Sequence, residues 1–218
     1  MIFVCSLTTT FGDTAFNKTF LNEPCLLFQK MQIITKDEIR LRKEELKEKI
    51  LDGEIFIHPT DTIYGIGCDA TNSKAVKKIR EIKQRPDTPF SIMAPSKEWI
   101  RENCIITKEA EKWLDKLPGP YTLILKTKDK PVASEVAPGL ESLGVRIPNH
   151  WITKLINWIG VPIITTSVNI TDEPYMTSTE DLEDSIQTQM DFCLYEGEKQ
   201  GNPSKIIHLD DGERVVER

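Results

Sequence analysis

Hydrophobic and polar positions along this chain predict short strands separated by helices. Short runs rich in apolar and β-branched side chains are typical of buried strands. Such runs lie at residues 55–57, 90–94, 121–125, 143–147 and 162–167. Between them, apolar residues at helical spacing predict helices at residues 35–53, 73–83, 108–116 and 150–160. Strands that alternate with helices indicate an α/β layer fold.

Capping signals define the ends of the predicted helices. Thr35–Glu38 has the spacing of a capping box, and Gly53 is the predicted C-cap of the helix that follows. Ser73 is the predicted N-cap of the second helix. Thr177–Glu180 is a second capping box, which predicts a helix that extends to about Met190.

The end of the chain predicts a β-hairpin. Strand-like runs at residues 192–195 and 204–209 are followed by Asp211-Gly212, a strong hairpin signal, and by Arg214–Val216. A closing hairpin makes the sheet mixed rather than purely parallel.

Length and composition restrict the class of protein. The chain has 218 residues, which favours one domain, and a formal net charge of −6, which argues against a globally basic nucleic-acid-binding protein. Five widely scattered cysteines argue against a disulfide framework or a zinc site, and three histidines argue against a histidine-rich metal centre. No apolar run has the length of a membrane span. A soluble cytoplasmic protein without a protein-bound metal is expected.

The first 30 residues differ from the rest of the chain. They carry few charges and no clear hydrophobic period, and the predicted domain begins at Met31. Two interpretations stay open: an N-terminal extension of unknown role over residues 1–30, or an upstream start codon with Met31 as the natural beginning. The domain itself is predicted to span residues 31–218.

The familiar nucleotide and hydrolase motifs are absent, and four polar clusters at strand ends are the candidates for chemistry. The first, His58–Gly67, follows a predicted strand. Thr60 and Thr62 supply hydroxyls, and Gly65 and Gly67 would let the backbone approach a ligand closely. The alternative is an ordinary structural turn.

The second cluster is basic. Residues 77–85 contain five cations, Lys77, Lys78, Arg80, Lys83 and Arg85, and one acid, Glu81. The first three cations are expected on the outer faces of the helix, while Lys83 and Arg85 flank its end, where Pro86 favours an extended backbone. Such a patch suits phosphate or carboxylate groups. The alternative is a solvated helix end whose cations favour the helix dipole.

The third and fourth clusters lie in predicted strands. Thr165, Ser167 and Asn169 would share one strand face and could form a ligand rim, unless they belong to an ordinary turn. Arg146 lies inside an apolar strand and needs a partner if buried. A bound anion and an internal salt bridge are equally compatible with that position.

In order, these segments resemble the YrdC-like family, the threonylcarbamoyl-AMP synthases. The resemblance covers about residues 35–212 and rests on the following segments: Pro59–Gly67, Lys83-x-Arg85-Pro86, Pro118–Thr122, Gly144–Pro148, Ser167-x-Asn169 and Pro203-Ser204. It implies an open, twisted, mixed α/β sheet with flanking helices around a concave, positively charged cavity. It also implies synthesis of L-threonylcarbamoyl-AMP and diphosphate from L-threonine, bicarbonate and ATP, with Mg²⁺ accompanying ATP.

The same resemblance assigns candidate site residues. Lys83 and Arg85 match the K-x-R signature and are the candidate catalytic residues. The candidate ATP-binding residues are Lys83, Arg85, Ser142, Ser167 and Asn169. The candidate threonine-binding residues are Thr60, Arg146, Thr165 and Ser204. A separate transferase would deliver the threonylcarbamoyl group to tRNA, and tRNA or double-stranded RNA is a candidate direct partner.

Two segments depart from the family pattern. Asp87–Phe90 is shorter than the segment that usually follows K-x-R-P, which puts one expected threonine-site contact in doubt. Lys205 follows Ser204 where a small residue is usual, and it would alter the cavity rim.

Three rival interpretations stay open. They are a paralogue without synthase activity, a carbamoyltransferase module of the kind used in hydrogenase maturation, and a noncatalytic module that binds tRNA or double-stranded RNA.

Overall fold

Ten strands form one mixed sheet in the computed structural model, which describes residues 31–171 and 173–217. The strands are β1 (Gln32–Thr35), β2 (Phe56–His58), β3 (Gly65–Gly67), β4 (Ser91–Met93), β5 (Tyr121–Lys126), β6 (Ser142–Arg146), β7 (Ile163–Ser167), β8 (Phe192–Tyr195), β9 (Lys205–His208) and β10 (Arg214–Val216). Their spatial order is β1-β8-β2-β3-β7-β4-β6-β5-β9-β10.

Seven α-helices accompany the strands in the described ranges. They are α1 (Lys36–Leu41), α2 (Lys43–Leu51), α3 (Ser73–Lys83), α4 (Lys97–Asn103), α5 (Lys108–Asp115), α6 (Ile152–Ile159) and α7 (Asp184–Gln187). Short 3₁₀ turns cover Ser134–Val136 and Thr179–Asp181. The predicted α/β class and the closing hairpin β9–β10 are confirmed. The proposals for residues 1–30 lie outside the described residues.

Several predicted elements need correction. The helix predicted over residues 35–53 is two helices, because the backbone of Arg42 leaves the helical region at φ −106° and ψ 16°. Leu41, which the helical pattern would bury, is therefore 86% exposed. Asn72, not Ser73, caps α3, since its side chain accepts from the backbone N–H groups of the first turn. The sequence pattern also missed β1 and α4.

The second capping box lies one residue beyond the predicted Thr177–Glu180, at Ser178–Asp181, and it opens a 3₁₀ turn instead of a long helix. Ser178 is the N-cap, and Asp181 accepts from the backbone N–H groups of Thr177 and Ser178. This turn stops at Leu182, whose backbone is extended, and α7 is a separate helix of four residues that ends before Met190.

The two faces of the sheet bury different cores. Neighbouring residues of one strand, such as Ile163 and Ile164, belong to opposite clusters because side chains alternate along a strand. One cluster packs the strands against α3, α4, α5 and α7, and the other packs them against α1, α2 and α6. The second face positions the candidate site.

Along this second face, the side chains change from apolar to small and polar. Ile163 pairs with Met93 under α6, whereas two residues away Thr165 pairs with Ser91. Ser91 also pairs with Gly144 on β6. Because these small side chains leave space above the backbone, the uncovered end of this face forms a depression.

Candidate functional site

The depression is a cavity of about 120 Å³ above the central strands. Its lining comes from the β2–β3 connection and the start of β3, from the loop after α3 and the start of β4, from β5, β6 and β7, and from the segments after β7 and before β9. The lining residues are Thr60, Thr62–Gly65, Arg85, Pro89–Ser91, Thr122, Arg146, Thr165–Ser167, Tyr175, Pro203 and Ser204. Two arginines and a ring of hydroxyl groups make this lining predominantly polar.

Six of the nine candidate catalytic, ATP-binding and threonine-binding residues line this cavity, and three do not. The cavity contains Thr60, Arg85, Arg146, Thr165, Ser167 and Ser204. Ser142 instead lines a second cavity of about 290 Å³, at the opposite end of β6 from Arg146. Asn169 lies beyond the end of β7 against a third cavity, and Lys83 is buried beneath Ser167 and Asn169. Their assigned roles remain predictions.

Arg146 forms an internal salt bridge. Its Nη2 lies 2.6 Å from Asp61 Oδ1, and both side chains are almost fully buried. The other Asp61 oxygen accepts from the backbone N–H of Asn149 at 2.8 Å. The sequence left open a bound anion or an internal salt bridge as the partner of Arg146, and the structure contains the salt bridge. Asp61 therefore fixes the direction of a guanidinium that also borders the cavity.

Threonine hydroxyls extend this network. The guanidinium of Arg146 lies 3.3 Å from the hydroxyl oxygen of Thr62, which is 2.9 Å from the hydroxyl oxygen of Thr60. Thr60 donates its single hydroxyl hydrogen to the carbonyl of Ile63 at 2.7 Å. Thr62 is therefore the donor to Thr60, and the turn holds three polar groups of the cavity in a defined orientation.

A second hydroxyl pair closes the opposite wall. The hydroxyl oxygens of Thr122 and Ser204 are 2.7 Å apart, and both residues are buried. Thr122 belongs to the Pro118–Thr122 segment, but the sequence analysis gave it no role. Asp61 and Tyr175 were also missed. The only signal for Asp61 was its place beside Thr60.

Lys83 lies at the end of α3 with its ammonium group directed at the loop after β7. Its Nζ donates to the carbonyl oxygens of Ser167 (2.8 Å) and Asn169 (2.6 Å) and to the side-chain oxygen of Asn169 (2.7 Å). The residue is 1% exposed. Burial, with a further contribution from the charge of Arg85, lowers the pKa of Lys83 to about 8. The ammonium thus fixes the loop that carries Ser167 and Asn169.

The predicted surface patch of five cations is only partly on the surface. Lys77 and Lys78 are exposed, but Arg80 is 9% exposed and donates to backbone carbonyls of the loop that follows α3. Its expected position on an outer helix face is wrong. Arg85 is half-buried and lies in the cavity wall, with its guanidinium 5.8 Å from the centre of the Phe90 ring.

Gly65 and Gly67 form strand β3 rather than a loop, and they face a buried histidine. A Cβ on Gly65 would lie 2.7 Å from His58 Cε1, and one on Gly67 would lie 2.9 Å from His58 Cδ2. Packing against His58 therefore requires both glycines, independently of any ligand. His58 is fully buried, and this burial lowers its pKa to about 3, so the imidazole is neutral at physiological pH.

Lys205 is not among the residues that line the cavity. Its side chain is half exposed and forms a salt bridge with Glu217 on the surface. The expected change of the cavity rim by Lys205 is therefore not seen.

The described residues contain neither a cluster of metal-binding side chains nor a membrane-spanning helix. Within residues 31–171 and 173–217, no cluster of three or more His, Cys, Asp or Glu residues could hold a metal ion. In the same ranges, no helix has the length and apolar character needed to cross a membrane.

Comparisons with known proteins relate the whole domain to one family. The family model described as "Telomere recombination", which groups Sua5, YciO and YrdC, matches residues 48–218. Threonylcarbamoyl-AMP synthase of Vibrio campbellii is 32% identical over 171 residues, which cover 75% of this chain and 91% of that protein. A Methanocaldococcus jannaschii protein, named as a provisional threonylcarbamoyl-AMP synthase, is 35% identical over 185 residues. These residues cover 84% of this chain and 87% of that protein.

A solved structure supports the same relationship. The crystal structure of P. abyssi Sua5 complexed with L-threonine superposes with a TM-score of 0.76 at 28% identity, covering 85% of this chain and 56% of that chain. This chain thus spans about half the length of that protein. Family model, relatives and fold agree, and the chain belongs to the Sua5/YciO/YrdC family.

Proposed function

We propose that this chain is an L-threonylcarbamoyladenylate synthase. The reaction combines L-threonine, bicarbonate and ATP and yields L-threonylcarbamoyl-AMP, diphosphate and water. It is the first step of the N6-threonylcarbamoyladenosine modification of tRNA. In enzyme class this is a nucleotidyl transfer, since the AMP moiety of ATP passes to a carbamate oxygen.

The observation that carries the proposal is the cavity with two arginines on its wall. Arg146 borders it beside a group of oriented hydroxyls, and Arg85 borders it beside Ser167. Two anionic substrates need two separate cationic anchors, and arginine suits both carboxylate and phosphate. The names of the two relatives and the threonine complex of P. abyssi Sua5 support the same chemistry.

For the threonine half, Arg146 would hold the substrate carboxylate. Asp61 already fixes the guanidinium, so little side-chain entropy remains to be lost on binding. Thr60, Thr165 and Ser204 would supply hydrogen bonds to the rest of the amino acid. The threonine amine would then lie free to capture CO₂ as a carbamate.

For the nucleotide half, the carbamate oxygen attacks the α-phosphorus, and the bond from that phosphorus to the diphosphate oxygen breaks. Such a reaction depends mainly on positioning and on stabilisation of phosphate charge. Arg85 and Ser167 would contact the phosphates directly. Lys83 would act through its hydrogen bonds to the Ser167–Asn169 loop, because its donors already point at that loop.

Mg²⁺ would enter as the complex with ATP. Magnesium is commonly bound through substrate phosphates and water together with one or two carboxylates. In this family member it would neutralise phosphate charge. The protein's own contribution is the pair of arginines and the hydroxyl ring.

The proposed product is a labile adenylate, so a downstream transferase would have to carry the threonylcarbamoyl group to tRNA. A cytoplasmic location fits a substrate set of ATP, bicarbonate and tRNA. Direct binding of tRNA or double-stranded RNA is a further proposal, and the geometry of the cavity does not bear on it.

The test is pyrophosphate release from Mg-ATP and bicarbonate, with and without L-threonine, together with mass detection of threonylcarbamoyl-AMP. We expect threonine-dependent pyrophosphate and the adenylate mass. Ser167→Ala should reduce both, while Ser185→Ala on the exposed side of α7 serves as the matched control. ATP binding by folded protein without either product would reject the synthase and favour an inactive paralogue or an RNA-binding module.

A further inference from the structure

We propose that Arg80 is a positioning residue, which holds the Arg85–Phe90 loop on the cavity wall and thereby places Arg85 for its anionic ligand. Only the identity of that ligand, ATP, rests on the proposed function. Arg80 itself does not line the cavity. Its effect is exerted through the backbone of the loop.

The loop is wrapped around the guanidinium of Arg80. Nη1 lies 2.7 Å from the carbonyl oxygen of Arg85, 2.8 Å from that of Pro86 and 3.1 Å from that of Thr88. Three carbonyls from four consecutive residues therefore converge on one nitrogen. This convergence sets the path of the segment that follows α3.

The same guanidinium also binds the 3₁₀ turn at Ser134–Val136. Nε donates to the carbonyl of Glu135 at 2.7 Å, and Nη2 lies 3.4 Å from the carbonyl oxygen of Val136. Phe90 completes the connection, since its backbone N–H donates to the Val136 carbonyl at 2.9 Å. The Phe90 ring lies against Arg80, with the guanidinium carbon 4.5 Å from the ring centre. Arg80 thus joins the end of α3 and the loop that follows it to a turn more than 50 residues further along the chain.

Neighbouring side chains hold the turn in place from the other side. Ser73 donates to the Glu135 carboxylate at 2.9 Å, and Lys77 forms a salt bridge with it at 3.1 Å. These contacts come from the first two turns of α3, and Arg80 comes from the third. Residues along α3 therefore hold the 3₁₀ turn against the helix, and Arg80 connects this turn to the Arg85–Phe90 loop.

Arginine suits this position better than lysine does. Its planar fork donates in several fixed directions and remains charged when buried, whereas lysine offers one compact ammonium group. Burial lowers the pKa of Arg80, but the ordinary value is high enough to keep the charge. An apolar replacement would remove the Arg80 donor from four carbonyls, those of Arg85, Pro86, Thr88 and Glu135, while the Val136 carbonyl would still accept from Phe90. Even partly buried carbonyls without a donor are costly.

The assignment is tested with Arg80→Leu and Arg80→Lys, and with Arg101→Leu as a matched control on the surface of α4. Steady-state kinetics would give KM for ATP and for L-threonine separately. Amide hydrogen exchange without ligands would be followed at Arg85 and Phe90, whose N–H groups donate to the carbonyls of Arg80 and Val136.

In Arg80→Leu we expect KM for ATP to rise at least tenfold and KM for threonine to change less than twofold. Exchange at Arg85 and Phe90 should accelerate at least tenfold, while the amides of α6 stay protected. Arg80→Lys should recover part of the ATP affinity, and Arg101→Leu should match the parent chain.

Two results would overturn the assignment. One is a parent-like KM for ATP together with parent-like exchange of the loop in Arg80→Leu. The other is an equal rise in both KM values with loss of protection throughout α6, which would show a purely structural role. If the parent chain makes no threonine-dependent pyrophosphate, the synthase proposal fails, while loop exchange and ATP binding still decide the role of Arg80.

Discussion

The ammonium nitrogen of Lys83 lies 2.7 Å from the side-chain oxygen of Asn169, at the junction of α3 with the loop after β7. The same oxygen accepts from the hydroxyl of Ser167 at 2.6 Å. One buried cation therefore orients both polar side chains of the S-x-N segment. We expect the K-x-R lysine to support catalysis through this segment, while its assignment as a catalytic and ATP-binding residue stays a prediction.

Removing the cation should disorganise the segment. We expect Lys83→Met to lower kcat/KM for ATP by about 100-fold, because two backbone carbonyls and one amide oxygen lose a charged donor. Lys83→Arg should retain more activity than Lys83→Met. Initial rates of pyrophosphate release at varied ATP measure both variants. A Lys83→Met protein with parent-like kinetics would contradict this role.

The lowered pKa of Lys83 predicts a pH dependence. Its pKa of about 8 in the folded protein lies below the ordinary value of 10.5, so between these pH values the unfolded chain binds more protons than the folded one. The contribution of Lys83 to the free energy of unfolding therefore increases as the pH rises from 8 toward 10.5. Denaturant unfolding at several pH values measures this contribution as the difference in the free energy of unfolding between the parent chain and Lys83→Met.

Activity should change in the opposite direction over the same range. Deprotonation of Lys83 removes a positive charge beside Arg85, so KM for ATP is expected to rise above about pH 8. In Lys83→Arg this inflection should vanish, because a guanidinium stays protonated. An identical inflection in both proteins would assign it to another group.

The salt bridge between Arg146 and Asp61 predicts a selective loss of threonine binding. Arg146→Ala should raise KM for threonine at least tenfold and leave KM for ATP nearly unchanged. It should also destabilise the fold by about 3 kcal/mol, because it leaves the Asp61 carboxylate buried without its cation. Thermal unfolding and two-substrate kinetics separate the two effects. Equal changes in both KM values would contradict the assignment to threonine.

Asp61→Asn provides a complementary test. It keeps the shape of the side chain but removes the charge that holds the guanidinium, so weaker threonine binding is expected. If threonine bound more tightly instead, Asp61 would be competing with the substrate for Arg146 rather than orienting it.

Ser142 tests whether the nucleotide reaches the second cavity. Because Ser142 is a candidate ATP contact, Ser142→Ala should raise KM for ATP about two- to tenfold, which is the effect of one lost hydrogen bond. KM for threonine should not change, because Ser142 and Arg146 lie at opposite ends of β6. Ser185→Ala is the control. An unchanged KM for ATP would confine the nucleotide to the first cavity.

Gly65→Ala should destabilise the protein through a clash with His58. The new Cβ would lie 2.7 Å from Cε1 of a fully buried ring, and overpacking of this kind costs about 1–3 kcal/mol. Adding His58→Ala should make the double variant more stable than the sum of the single changes, because the clash is removed. Additive losses would show that some other contact requires the glycine.

The local pattern of the chain was sufficient for most of the sheet. Strands such as β5, β6 and β7 were predictable because continuous apolar or β-branched runs require burial, and α6 because its apolar stripe ends at a glycine with φ +90°. The ordered motifs also singled out six residues that meet in one cavity. The elements follow from residue type and spacing, whereas the roles of the six cavity residues were implied by the resemblance to the family.

Other features depend on contacts between segments that are distant in sequence. Arg80 looked like an exposed helix residue, and only the 3₁₀ turn at Ser134–Val136, folded over it, makes it a buried donor. The glycines of β3 are explained by the ring of His58 on the neighbouring strand. Asp61 is the partner of Arg146 because the fold places the β2–β3 connection beside the end of β6. Residue type determined which chemistry was available, and the tertiary structure decided which charges point into the cavity and which hold its walls.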